Sequence, residues 1–140
     1  MGQTIVTDTG FAPDDWTGHA APLVEGVPAN GTAVDIAPSD DVAVLAGVLA
    51  RLTFIRVAFP SSADGRGFTL AKRLRAMGYR GRLRAAGHVL ADQYAMARRA
   101  GFDEVEIDAA LAARQPEAQW LARADWHAHD YQARLRGSAA

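Results

Sequence analysis

Two glycine-containing loops carry the residues of this chain best suited to anion chemistry. The first, "DGRG", places Asp64 and Arg66 among Gly65 and Gly67, after an apolar run that ends at Pro60. Glycines let the backbone approach a ligand, and free N–H groups at the start of a helix attract anions. Arginine adds forked hydrogen bonds to carboxylate, phosphate or sulfate. The loop predicts an oxyanion site, although a simple turn with a solvated arginine also explains it.

The second loop, "AAGH", repeats this arrangement further along the chain. Arg84 precedes it, Gly87 and His88 form it, and Asp92 and Gln93 follow one helical turn later. Ligands of parallel α/β folds bind where the carboxyl ends of strands lead into helices, so we expect both loops on one rim. The candidate ligand-binding residues of this carboxyl-end rim are Asp64, Gly65, Arg66, Gly67, Arg84, Gly87, His88, Asp92 and Gln93.

The rim is compatible with three hypotheses about activity. In the leading one, Arg66 and Arg84 hold a small oxyanion by charge-assisted hydrogen bonds, and Asp92 orients an arginine. In the second, the protein is an enzyme and His88 or Asp92 is its general acid or base. In the third it is a non-catalytic interaction scaffold, in which the apolar seam of the last helix and the segregation of charge matter more than the rim. A purely structural interpretation of Arg84, as an ion-pair partner of Asp64 or Asp92, also stays open. The sequence shows no flavin, haem, iron–sulfur or nicotinamide motif, so we predict no cofactor and assign no catalytic residue.

Other kinds of site are excluded or disfavoured. The chain has no cysteine, which excludes disulfides, thiolate metal sites and thiol catalysis. His127 and His129 are two residues apart and would point away from each other on a helix, whereas zinc needs three or four ligands. Trp120 and Trp126 are not interleaved with basic residues, so we predict packing roles and no nucleic-acid partner.

Charge is segregated along the chain. Residues 1–50 carry seven acidic and no basic side chains, residues 51–99 carry eleven basic and two acidic ones, and residues 100–140 carry seven acidic and four basic ones. A basic middle between acidic ends indicates either an anion-binding face or parts of one fold that attract each other. Both interpretations stay open on the sequence alone.

Composition and length predict one soluble globular domain. Of the 140 residues, 49% are hydrophobic and 22% are charged. The longest apolar stretch is interrupted by Arg51 and Arg56, so it does not predict a membrane span. The N-terminus lacks the basic and apolar regions of a secretory signal, and we therefore expect a cytoplasmic protein.

The elements that position the rim alternate between strand and helix. The hydrophobic patterns predict strands at 32–36, 53–59, 82–86 and 102–108, and helices at 39–52, 68–78, 88–101 and 116–135. This order predicts an α/β fold of about four parallel βα units, as a half-barrel or a small open sheet. Residues 1–30 form an extended arm or hairpin, residues 31–140 form the single domain, and the last helix packs back or faces another chain. The two sheet edges need covering by the arm or by a second subunit, which makes a homodimer an alternative.

A series of motifs over residues 54–107 identifies a family. "FP…DGRG", "LR…GY.G.LRA.G", "VL.DQ" and "GFD" together closely resemble the bacterial domain of unknown function 934, and a looser similarity extends upstream to "DDW" at 14–16. Members are often labelled oxidoreductases probably involved in sulfite reduction. The resemblance therefore implies a bacterial, cytoplasmic protein of sulfur assimilation with sulfite reductase or a related protein as partner. It supplies no catalytic residues.

This chain departs from the usual family pattern at three places. Ser62 and Ala63 stand where Lys-Phe is frequent, His88 stands where Asp is frequent, and Ala100 stands where Cys is frequent. The missing cysteine argues against a thiol redox role, and the missing lysine weakens an anion cradle. Taken with the resemblance, the leading hypothesis is an accessory protein of sulfite or sulfate reduction that binds a small oxyanion or a partner protein at the rim.

Overall fold

The computed structural model describes residues 3–27 and 29–129, in which seven strands and four α-helices form one layered structure. The strands are β1 (Thr4–Thr7), β2 (Gly10–Pro13), β3 (Ala21–Pro22), β4 (Ala33–Ile36), β5 (Phe54–Phe59), β6 (Arg82–Gly87) and β7 (Glu104–Ile107). The helices are α1 (Arg66–Ala76), α2 (Tyr94–Ala100), α3 (Ala109–Arg114) and α4 (Glu117–Leu121). None of these described helices has the length and apolar character needed to cross a membrane.

All seven strands belong to one mixed sheet with the order β2-β1-β7-β6-β5-β4-β3. Strands β3 to β7 run parallel to their neighbours, whereas β1 is antiparallel to both β7 and β2. The predicted α/β fold with a mostly parallel sheet is confirmed. Because the parallel strands follow one another in chain order, right-handed crossovers place their connecting helices on the same face of the sheet. The opposite face of the sheet is not covered by these connecting helices.

The apolar core lies between the sheet and these helices. Alternate residues of β5 and β6, including Ile55, Val57 and Leu83, are fully buried there, as their period of two predicts. They pack in one cluster with Leu74 of α1 and Tyr94 of α2. Burying a side chain of this size contributes about 1.5–3 kcal/mol, so this face supplies the main stabilisation of the fold.

The connection from β4 to β5 corrects the prediction of a helix over 39–52. It forms two short 3-10 turns, Val42–Leu45 and Leu49–Arg51, and Asp41 rather than Ser39 caps the first through a 3.0 Å hydrogen bond from the N–H of Ala43. Three β-branched valines and a glycine within residues 42–48 lower the helix propensity of this stretch. The predicted series of four βα units therefore lacks a full helix at its first crossover.

The predicted helix over 116–135 is also interrupted. Helix α4 ends at Leu121, and a separate 3-10 turn covers Trp126–His129. The indole Nε1 of Trp126 donates a 3.2 Å hydrogen bond to Asp8, and its ring lies 4.7 Å from the guanidinium of Arg98. These contacts fix a direction that a continuous helix would not follow. The rest of the predicted helix, from residue 130 onward, lies outside the described residues.

The N-terminal arm covers both edges of the central parallel sheet. Strands β1 and β2 form a hairpin that extends the sheet beyond β7, and the two-residue strand β3 pairs with β4 at the opposite edge. The outer strand β2 is protected further, because the carboxylate of Glu117 accepts a 2.8 Å hydrogen bond from the N–H of Phe11. The N-terminal arm therefore covers the two edges of the central parallel sheet. Dimerisation stays a prediction.

Candidate functional site

The two glycine loops are joined directly at the carboxyl-end rim. The side chain of Gln93 accepts a 2.9 Å hydrogen bond from the N–H of Leu90 and donates one of 2.9 Å to the carbonyl of Ser62 in the first loop. The N–H of His88 donates a 2.8 Å hydrogen bond to the carbonyl of Phe59, at the end of β5. The structure therefore brings the two loops together, as expected at the carboxyl ends of adjacent parallel strands. The side chain of Gln93 joins them by hydrogen bonds.

Two of the rim glycines have structural explanations. A Cβ at Gly67 would overlap the ring of Phe59, so this glycine lets α1 pack tightly on β5. Gly87 has φ +125°, and a Cβ there would meet the carbonyl oxygen of Phe59. Gly65 differs from both, because no atom lies within 4 Å of the position its Cβ would take. Only Gly65 leaves open space beside the backbone.

Three charged residues of the rim, Asp64, Arg66 and Asp92, are paired with each other or with a neighbouring side chain. Arg66 donates from Nε and Nη2 to Asp64, at 3.0 and 2.7 Å, and the side chain of Arg66 is 61% exposed. These hydrogen bonds lower the pKa of Asp64 to about 2. Asp92 forms an ion pair of 2.9 Å with Arg123, and His88 is exposed. An incoming anion at Arg66 must therefore compete with a carboxylate already in place.

Arg84 does not lie on the rim. Its side chain is 0% exposed. It projects from the face of β6 opposite to that of Leu83 and Ala85, which pack in the apolar core, because successive residues of a strand point to opposite faces. The guanidinium donates to Glu104 at 2.6 Å, to Glu106 at 2.7 Å and to Asp14 at 3.1 Å. The expected joint anion site of Arg66 and Arg84 is thus corrected by the geometry. Ligand binding by the remaining rim residues stays a prediction.

These contacts belong to a charged row that crosses the face of the sheet away from the helices, which we call the open face. Asp35, Arg56, Arg84 and Glu104 stand side by side on adjacent strands. Arg56 binds Asp35 through two hydrogen bonds of 2.7 and 3.0 Å and reaches Glu106 at 3.3 Å. The sequence signal for this row is the single arginine of "FIRVAF" together with two ionic residues at alternate positions in each of "RLRAAG" and "EVEI".

Residues 14–16 of the arm cover part of the open face. The indole of Trp16 stacks on Phe54 with ring centroids 4.1 Å apart and planes 6° apart. Asp14 binds Arg84, while Asp15 pairs with Arg82 at 2.5 Å. The motif "DDW" therefore places two carboxylates on two arginines and an aromatic ring on the neighbouring apolar patch.

The electrostatics of the covered part are those of a fixed structural network. Burial alone would lower the pKa of Arg84, but its hydrogen bonds to Asp14, Glu106 and Glu104 raise it above the usual value. Burial would raise the pKa of Asp14, yet the hydrogen bonds from Arg84 hold it below the ordinary value. No buried side-chain nitrogen or oxygen within the described ranges lacks a hydrogen-bond partner. The network is complete without a ligand.

Beyond residues 14–16 the open face has an uncovered strip at the carboxyl ends of the strands. Its floor is formed by Ala58 and Ala86, which are paired neighbours on β5 and β6. Around this floor is a concavity of about 280 Å³, bordered by Pro22, Val24, Asp35, Ile36, Ala37, Asp40 and Arg56. Val24 is 80% exposed. The uncovered strip therefore combines a small-residue apolar floor, an exposed aliphatic side chain and charges that are already paired.

A scan against protein-family models matches residues 33–140 to the family described as bacterial protein of unknown function (DUF934). The chain belongs to this family. The match covers β4 to β7, and hence both the carboxyl-end rim and the floor of the uncovered strip, and it confirms the family resemblance inferred from the motifs. No curated protein and no solved structure matches this DUF934 chain.

Proposed function

We propose that this protein is an accessory protein of assimilatory sulfite or sulfate reduction that acts by binding a partner protein. The observation that carries the proposal is the uncovered strip, an apolar floor left exposed where a parallel α/β fold ordinarily places its binding site. The assignment to sulfur metabolism rests on the family resemblance. The assignment to binding rests on the chemistry of the strip.

The strip has the composition of a protein interface. Its centre is apolar, with Ala58, Ala86 and the exposed Val24, and its border carries the Arg56–Asp35 ion pair. Interfaces typically have an apolar centre that loses water on binding, surrounded by polar groups. Because Arg56 is already held by two carboxylates, its conformation costs little further ordering when a partner arrives.

The alternative of an enzyme at the rim finds less support in the geometry. A general acid or base has to face a substrate with a proton to exchange. Asp92 is exposed and paired with Arg123, and Gln93 has both side-chain polar atoms engaged in joining the loops. Asp92 is accounted for by its ion pair with Arg123, and Gln93 by joining the two loops. Binding of a partner at the uncovered strip does not require any of these contacts to be broken.

Co-purification with sulfite reductase tests the proposal. We expect tagged sulfite reductase from the same organism to retain the wild-type protein, and to lose it in Val24→Asp and Ala58→Glu. Each substitution introduces a charge into an apolar contact, and central interface residues contribute about 1–3 kcal/mol or more, which corresponds to a tenfold or greater loss of affinity. Met96→Asp is the matched control, because Met96 is also an exposed apolar residue, 49% exposed, on helix α2.

Two results would contradict this assignment. Equal retention of the wild type and both strip variants would remove the strip as the interface. Failure of the wild type to bind sulfite reductase at micromolar concentrations would remove the partner. Circular dichroism and thermal melting of each variant verify that a loss of binding is not a loss of fold.

A small oxyanion at Arg66 is the second candidate function. The favouring observation is that Arg66 is mostly exposed at the start of the eleven-residue helix α1, beside the open space at Gly65. A thermal-shift screen with sulfite, sulfate, phosphate and adenylyl sulfates tests it. A rise in melting temperature for one anion, lost in Arg66→Ala but kept in the exposed control Arg114→Ala, would support the site. A rise that persists in Arg66→Ala would reject it.

A further inference from the structure

Most of the positive charge in the basic middle of the chain is neutralised inside the fold. Arg56, Arg66, Arg75, Arg82, Arg84 and Arg98 each form an ion pair with a carboxylate. Lys72, Arg73 and Arg80 form no ion pair with any of the residues that the structure describes. They lie on α1 and on the turn that follows it. Arg51 and Arg99 donate hydrogen bonds to backbone carbonyls. Lys72, Arg73 and Arg80 thus place three positive charges on the side of the molecule that α1 and the turn after it form.

Two adjoining concavities follow that side and share Ala46 and Met77 in their walls. The larger has a volume of about 670 Å³ and is bordered by Arg80, and the smaller, of about 340 Å³, is bordered by Arg73. Between the two arginines the surface is formed mainly by small apolar side chains, among them Ala50. We call this feature, from Arg73 through Ala46 and Met77 to Arg80, the basic groove.

The basic groove exists because the first crossover is not a full helix. Parallel strands are ordinarily joined by a helix that packs beside its neighbours, but β4 and β5 are joined by two 3-10 turns. The connecting sequence "VAVLAGVLA" is nine apolar residues long, and five of its members are exposed: Ala43, Val44, Ala46, Gly47 and Ala50. The largest of these side chains, Val44, is 54% exposed. A layer that helices usually fill is thus incomplete, and its apolar surface faces outward.

We propose that the basic groove docks an amphipathic α-helix of a partner protein, with an apolar stripe flanked by Asp and Glu. A helix supplies the bulk that the missing crossover helix would have supplied, and its apolar stripe covers the alanines of the floor. Acidic residues beside the stripe meet Arg73 and Arg80, which border the two concavities and form no ion pair with the described part of the chain. Small side chains at Ala46 and Ala50 let the partner backbone approach closely.

Fluorescence anisotropy with synthetic helices tests this inference. The probe is a labelled, stapled 14-residue peptide with leucines at i, i+3, i+4 and i+7 and glutamates on both sides. One control peptide has the same composition in scrambled order, and a second carries lysine in place of each glutamate. We expect saturable binding of the acidic helix alone. The double variant Arg73→Glu with Arg80→Glu should weaken it by about tenfold, since reversal replaces attraction with repulsion at both ends.

Two further variants separate the groove from general charge effects. Ala46→Glu places a carboxylate on the exposed floor and should also weaken binding, whereas Arg114→Glu reverses an equally exposed arginine on α3 and should leave binding unchanged. The proposal is overturned if the scrambled peptide binds as tightly as the helix, if the double reversal has no effect, or if vesicles of anionic lipid bind the groove and the peptide does not. Self-association that the double reversal abolishes would identify a second copy as occupant and would equally overturn it.

The proposals for the basic groove and for the uncovered strip can be tested independently of each other. The groove lies between α1 and the 3-10 turns on the helical side of the sheet, and the strip lies on the open face. Val24→Asp should therefore leave the peptide affinity unchanged, and the Arg73 and Arg80 reversals should leave sulfite reductase binding at the strip unchanged.

Discussion

The two faces of the central sheet are stabilised by different physical means. On the helical face, Ile55, Val57 and Leu83 are buried against α1 and α2, and their packing depends on volume and apolar area. On the open face, the adjacent residues Arg56 and Arg84 are buried or half-buried with carboxylates. One strand thus contributes aliphatic side chains to one side and ions to the other.

The comparison shows what replaces helices on an uncovered sheet face. A buried ion pair is favourable only when each charge finds its partners with good geometry, so it selects one arrangement of strands more strongly than it stabilises it. Arg84 contacts carboxylates from β7 and from the arm, which have to arrive together. The helical face therefore supplies stabilisation, and the open face ties the arm and β7 to one register.

The largest expected effects come from neighbouring residues on opposite faces of β6. Arg84→Ala leaves Glu104 and Glu106 with one buried cation fewer and should cost about 3–5 kcal/mol in the free energy of unfolding. Leu83→Ala removes a fully buried side chain and should cost about 3 kcal/mol. Urea denaturation at neutral pH measures both.

A charge-free replacement sharpens this first prediction. Arg84→Met combined with Glu104→Gln and Glu106→Gln removes the buried cation together with its two carboxylates on β7, so it should be less destabilising than Arg84→Ala alone. No comparable rescue applies to Leu83→Ala, where the defect is a cavity. A triple variant that is as unstable as Arg84→Ala would mean that volume, and not unpaired charge, dominates the open face.

Removal of the aromatic cover should have the next largest effect. Trp16→Ala abolishes the stack on Phe54 and should cost about 2 kcal/mol, combining lost apolar burial with the aromatic pair. Because Phe54 and its neighbours then face water, amide exchange in residues 14–20 should accelerate more than in α1. Equal protection in both segments would show that Trp16 does not hold the arm to the sheet.

Acid should weaken the open face before the helical face. Arg84 holds the pKa of Asp14 below the ordinary 3.8 despite partial burial, so Asp14 contributes stability that is fully present above 3.8 and is lost as the pH falls through the lower folded value. Asp14→Asn should cost roughly 1 kcal/mol at neutral pH and should flatten the loss of stability below about pH 4. Urea midpoints of both proteins at neutral pH and in acid measure the difference, and parallel pH profiles would contradict it.

The smallest effect is expected at the carboxyl-end rim. Arg66→Ala removes an ion pair with Asp64 that stands in solvent, and exposed pairs contribute little to folding. We expect no measurable change in melting temperature. A clear destabilisation would show that the Asp64–Arg66 turn positions α1, and it would make the rim a structural element rather than a binding one.

The sequence predicted the elements whose pattern is local. Strands β4 to β7 and helices α1 and α2 follow from alternation, from apolar spacing and from the glycines at the helix ends. Ionic residues at alternate positions of β6 and β7 are visible in the sequence, but Arg84 was expected on the carboxyl-end rim because it lies near the end of its predicted strand. Which side of a strand faces helices is decided by the crossovers, and residue types near a turn do not reveal it.

The interrupted helices and the role of "DDW" depend on partners distant in sequence. Trp126 turns toward Asp8 and Arg98, and Trp16 lies on Phe54, contacts that no local pattern contains. The 3-10 turns over 42–51 likewise follow from packing that overrides a moderate helix propensity. The uncovered strip was missed because its alanines and its valine have the same residue types as a buried core, and only the fold shows that they lie on a surface.

The pairing of β1 with β7 has a consequence for how the protein is made. Thr4 aligns with Ile107, so β1 has to wait for the synthesis of roughly a hundred further residues before it can pair with β7. A shorter delay, of 70 residues, applies to the carboxylate of Asp14, whose partner Arg84 belongs to β6. During synthesis the hairpin of β1 and β2 therefore has only its own two strands to pair, and we expect its docking on β7 to come late in folding.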